Sequence, residues 1–168
     1  MSFFTWWRSL FAQNVAETVH GEVTTCTASS FADPKDVAAF QRCKAQGKTD
    51  QECFRVGDNG LGFEISIGNG KHERLNCADP DKCYCALPPE IWRPKWGTPQ
   101  NAARRRVIVS YVHRATGATT TVTGLLGDTM PHLANITNGA RIDLNPGFAK
   151  ALGLNPPFMA TVSWSWGE

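Results

Sequence analysis

The chain has 168 residues, with 17 Lys and Arg against 15 Asp and Glu for a net charge of +2, and 42% of it is hydrophobic. That length fits one globular domain with a small appendage, and the near-neutral balance argues against a nucleic-acid partner. No window approaches 18 uninterrupted apolar residues, so no transmembrane helix is expected.

Residues 3–19 carry Phe4, Trp7, Leu10, Phe11, Val15 and Val19 at spacings of three and four, one stripe of an amphipathic helix. Phe3, Phe4, Trp6, Trp7 and Phe11 make that stripe unusually aromatic, suited to docking on a protein partner or a membrane surface, or to covering its own domain. The same segment is no recognisable signal peptide, because its one Arg follows the aromatics and the polar Gln13 and Asn14 come next.

Residues 20–32 read as a first strand. Asp33-Pro34-Lys35-Asp36 then writes a helix start, with Asp33 as N-cap and Pro34 at N1, and the helix runs through Val37, Phe40 and Cys43 to stop near Gly47. A second short turn begins at Asp50 and carries Cys53. The six cysteines, Cys26, Cys43, Cys53, Cys77, Cys83 and Cys85, fall within 60 residues, the pattern of a disulfide-stapled region in an oxidising, extracytoplasmic setting. Cys43 with Cys53 is the preferred pair, and at least two bridges are expected. A metal site from His72, Cys77, Cys83 and Cys85 lacks paired Cys-x2-Cys knuckles, so neither metal nor cofactor is assigned.

Residues 57–82, rich in Gly, Asn and Asp, should form turns around at most one short strand at 63–67. A short segment at 83–87 precedes Pro88-Pro89, and residues 92–99 look like an irregular linker rich in Trp and Pro. Residues 106–113 and 119–126 read as a hairpin turning at 115–117, followed by a loop to Gly139. Residues 140–144 make a strand, Asn145-Pro146 caps a short helix ended by Gly153, and 158–166 closes the chain as an alternating strand.

Several motifs stand in a telling order: the hairpin VIVSYVHRATGATTTVTG, a Gly-Asp-x-x-Pro loop at Gly127, Asp128 and Pro131, Ile142-Asp143-Leu144, then Ala151-Leu152-Gly153 and a final strand. With Ala28-Ser29-Ser30-Phe31 upstream, this resembles the double-psi β-barrel proteins of the rare-lipoprotein-A-like, expansin-like and family-45 glycosidase group. The resemblance covers residues 21–33 and 84–166. It implies a mainly β fold, a six-stranded double-psi β-barrel over residues 20–168. An insertion at 34–83, helical and Cys-rich, and the helix at 1–19 would decorate that barrel.

In the enzymes of this group an acidic residue after the hairpin acts as general acid on a glycosidic bond, and Asp128 matches that position. The lipoprotein-like members follow this Asp with Arg-Gly-Pro, whereas Thr129-Met130-Pro131 follows here. Leu125, Leu126 and Met130 could raise the carboxyl's pKa, as proton donation requires. Hydrolysis needs a second carboxylate, for which Asp58 is the leading candidate beside Asp33 and Glu64, whereas a lytic transglycosylase can work with one. Asp143 reads as structural. His132 lies four residues beyond Asp128 and would line the same groove, while Trp92 and Trp96 would offer flat faces to sugar rings.

Together these point to a cell-wall glycan-strand cleaving enzyme, a peptidoglycan lytic transglycosylase in the periplasm, at the cell wall or on a virion such as a phage tail. A non-catalytic glycan-binding module and a structural tail or baseplate protein are the alternatives.

Overall fold

The computed structural model describes residues 22–167, so the aromatic segment 3–19 lies outside the described residues. β1 (Thr24–Ser30) is followed by α1 (Pro34–Ala45) and the single-turn α2 (Asp50–Cys53). Pro34 opens α1 as expected, but Asp33 makes no side-chain cap, because its carboxylate instead accepts from Ser30 Oγ at 2.7 Å. α2 begins on a reciprocal cap in which Thr49 Oγ1 accepts from Glu52 N while Thr49 N donates to Glu52 Oε2. Cys43 and Cys53 are bridged, with Cα atoms 5.5 Å apart.

Two expectations fail in the middle of the chain. Residues 57–82 hold a complete antiparallel hairpin, β2 (Leu61–Gly68) and β3 (Lys71–Asn76). Its turn uses positive φ at Gly68, Asn69 and Gly70, backbone that glycine and asparagine tolerate. β3 buries only Leu75, so its sequence shows no apolar alternation to announce it. The supposed linker is likewise helical, forming α3 (Pro89–Trp96) and α4 (Pro99–Ala102). Pro89 and Pro99 sit in the first helical turn, where a missing N–H costs nothing.

β4 (Tyr84–Leu87) is wholly buried. β5 (Arg106–Val112) and β6 (Thr119–Thr129) form the expected hairpin, but β6 continues past Leu126, so Asp128 stands on a strand rather than in a loop. β7 (Ala140–Leu144), α5 (Pro146–Leu152) and β8 (Met159–Trp166) follow where the sequence places them. Six strands close a barrel in the order β1-β7-β4-β6-β5-β8. β1–β7 and β4–β6 are parallel, and the remaining pairs are antiparallel.

The core cluster includes Val107, Val109, Leu126, Ile142, Leu144 and Val162. Phe148 of α5 packs on Gly124 so closely that a Cβ there would lie 2.3 Å from the ring. Asn145 is fully buried and joins the segments around it. Its Oδ1 accepts from Tyr84 N and Phe148 N, and its Nδ2 donates to the carbonyls of Cys77 and Lys82 at 2.8 Å.

The expected second bridge is not formed among the described residues. Cys26, Cys77, Cys83 and Cys85 are free thiols. Cys77 and Cys85 serve as small apolar core residues, and burial pushes both thiols well up from their ordinary range. No three His, Cys, Asp or Glu side chains converge as a metal site among the described residues.

Candidate functional site

The strand register builds the site. Asp128 of β6 pairs with Ala86 of β4, Ala86 with Asp143 of β7, and Asp143 with Ser29 of β1, so these residues form one row across four strands. Regular pairing would not produce it. Cys85 pairs with Leu126 but Ala86 pairs with Asp128, so Gly127 is an extra residue on β6. That bulge turns Asp128 to the side of Ala86 and away from the face of the buried Leu126. Gly127 has no room for a side chain, since a Cβ would stand 2.8 Å from Tyr84 Cδ1 and 3.0 Å from Cys77 Sγ. With one small alanine between them, the backbones of Asp128 and Asp143 lie two strand spacings apart, about 10 Å.

Residues 34–83 supply the opposite wall. A groove of about 650 Å³ is lined by Asp128 together with Asp36, Phe54, Asp58, Leu61 and Arg74. Asp58 is held in a tight turn by Gly60 N, which donates to its Oδ1 at 2.8 Å. Arg74 of β3 is anchored by Nε, which donates to Gly62 O at 3.0 Å. Gly62 in turn lies against the bulge, where a Cβ would sit 2.0 Å from Gly127 O. The hairpin therefore reaches Asp128 through two glycines in backbone contact.

Burial is the main force on the carboxyls. It pushes Asp128 up to about 7, opposed by the Thr129 N–H bond and by Arg74, and reinforced by the charges of Asp58 and Asp143. Asp143 is pushed up to about 6 by burial, with Ser29, whose hydroxyl bonds its carboxyl, opposing and Asp58 adding. Burial also raises Asp33, with Ser30 opposing and Asp36 and Asp58 adding. Asp58 thus acts on each of the three. A carboxyl titrating near 7 holds its proton in about half the molecules at neutral pH, the condition for general acid and base chemistry.

Of the residues singled out in the sequence, the structure brings Asp128 and Asp58 into one groove. His132 is not among the residues lining that groove, and its Nδ1 lies 2.8 Å from Glu90 Oε1 at an exposed position. Trp92 is 1% exposed, packs edge-on against Phe63 and donates from Nε1 to Thr129 Oγ1 at 3.2 Å, so it supports the Asp128 strand from within. Trp96 lies under the Arg105 guanidinium at 4.0 Å, with its ring edge-on to Trp166. Glu64 stands at an exposed position on β2, 3.6 Å from His72. Sequence reasoning missed Arg74 and Phe54, and it set Asp143 aside as structural. Arg74 lies on a strand without apolar alternation, Phe54 follows the single-turn α2 directly, and Asp143 acquires its place only through pairing with Ala86.

No family model matches the chain, and no curated protein matches it.

Proposed function

We propose that the protein cleaves glycan strands of the cell wall, as a peptidoglycan lytic transglycosylase with Asp128 as general acid and then base. The observation that carries this reading is Asp128 itself, a carboxyl pushed up to about 7 on the wall of an open groove. The barrel's two parallel pairs, joined through the antiparallel β4–β7 contact, support the double-psi reading and with it the resemblance to glycan-active proteins. The Cys43–Cys53 bridge supports a non-reducing, extracytoplasmic setting.

Protonated Asp128 donates to the glycosidic oxygen as the bond to the anomeric carbon breaks. The resulting carboxylate then takes the proton of the sugar's own 6-hydroxyl as that oxygen attacks the anomeric carbon, leaving a 1,6-anhydro end. The charge of Asp58 faces the positive character that develops on the ring. Asp58 in the same groove also favours a second reading, hydrolysis, in which a second carboxylate activates water.

Digestion of purified sacculi and mass analysis of the released muropeptides test both. Anhydro ends support the transglycosylase and reducing ends the hydrolase. In either case Asp128→Asn, which keeps size but cannot donate the acid proton, should abolish release. A wild-type protein that releases no sugar fragments would refute the enzyme and leave a binding module.

A further inference from the structure

We propose that Phe54 is the face on which a sugar ring of the strand stacks beside Asp128, and that the Cys43–Cys53 bridge holds it in place. This rests on the glycan reading of the groove. Among the described residues, the large exposed hydrophobic side chains include Phe54 at 53%, Val56 at 58% and Leu61 at 39%, and all three line the groove that holds Asp58, Arg74 and Asp128. Exposed apolar surface gathered around a carboxyl-lined groove marks a binding face more than chance exposure does. Its chemistry matches a pyranose, which offers a C–H face to an aromatic ring and a rim of hydroxyls to carboxylates and a guanidinium.

The other aromatic candidates do not serve this groove. Trp92 is buried, and Trp96 is covered by Arg105. Phe54 is left half free and yet fixed. It follows Cys53 directly, and Cys53 is fully buried in its bridge to Cys43. The Phe54 N–H donates to Asp50 O at 2.9 Å, closing the α2 turn that Thr49 and Glu52 cap. Its ring rests on Phe40 of α1, with centroids 4.9 Å apart and planes tilted by 50°. A platform set before the ligand arrives loses little conformational freedom on binding. The bridge therefore serves recognition as well as stability.

The test uses the full chain carrying Asp128→Asn, so that binding is read without cleavage, and soluble peptidoglycan strands as the probe in a calorimetric titration. Adding Phe54→Ala should weaken binding about tenfold, whereas Phe54→Trp should stay within about twofold, since a larger flat face keeps the stacking. Replacing both bridge cysteines, Cys43→Ser with Cys53→Ser, should weaken binding by a similar factor, and Phe54→Ala should add little in that background. Thermal melts of each variant check that the barrel remains folded. Unchanged affinity with Phe54→Ala, in a protein whose cleavage depends on Asp128, would overturn the platform and leave the glycan reading standing. A protein that neither binds nor cleaves strands would overturn both.

Discussion

If Asp128 holds its proton up to about pH 7, folding itself must depend on that proton. In the unfolded chain the carboxyl titrates at its ordinary 3.8, and in the folded chain at about 7. Between those values the native state binds a proton that the unfolded state releases. The stabilisation is therefore complete below pH 3.8 and is lost as pH rises through 7. At about 1.4 kcal/mol per tenfold change in proton affinity, the fall between pH 4.5 and pH 8 amounts to about 3 kcal/mol. For a domain of this size that corresponds to a melting temperature lower by about 6–12 °C at pH 8. Asp143, pushed up to about 6, adds a fall of the same sign, so the informative quantity is the difference between wild type and Asp128→Asn. The amide has no proton to lose, and its melting temperature should fall less over the same range by the Asp128 share. Melts at half-unit pH intervals for the two proteins provide the measurement. Parallel profiles would mean that Asp128 ionises as an ordinary carboxylate, which would remove the basis for its role as an acid.

Two substitutions should move that titration in opposite directions. Arg74→Gln removes a cation that holds Asp128 down and should shift the basic limb of the pH–rate profile upward, whereas Asp58→Asn removes an anion and should shift it downward. Asn145→Ala strips partners from the buried N–H groups of Tyr84 and Phe148 and from two carbonyls, and should cost about 3 kcal/mol or more in urea unfolding. Alkylation of the unreduced protein should modify Cys26 and Cys83 in the native state and reach Cys77 and Cys85 only after unfolding, while Cys43 and Cys53 stay protected as a disulfide that peptide mapping recovers.

The elements that could be read in advance are those whose local chemistry is self-sufficient. Asn145-Pro146 with Gly153 brackets α5 without help from elsewhere, and the alternation of β8 follows from a face that buries Ala160, Val162 and Trp164. The same logic placed Cys43 and Cys53 on neighbouring helical turns close enough to bridge. β3 escaped because five of its six residues are polar and its only apolar contact is Leu75. Trp92 was misjudged for a related reason, since proline-rich flanks suggest an irregular exposed segment whereas the helix they start buries the indole. At the site, Asp128 could be singled out from the sequence as a candidate, but its place on β6 beside a bulge could not. A bulge at Gly127 exists only in relation to Cys85 and Ala86, residues distant in the chain.

The barrel order places β1 and β4 on either side of β7. The chain that leaves β1 at Ser30 and returns at Tyr84 thus starts and ends about 10 Å apart, two strand spacings. Everything between is an excursion mounted on two fixed posts, while Asp128 and Asp143 belong to the frame. A gap that narrow can be closed by a turn of a few residues or by another excursion of different length without altering any barrel pairing. The fold thereby separates frame from groove: new walls can be grafted between Ser30 and Tyr84 while Asp128, Ala86, Asp143 and Ser29 keep their pairings.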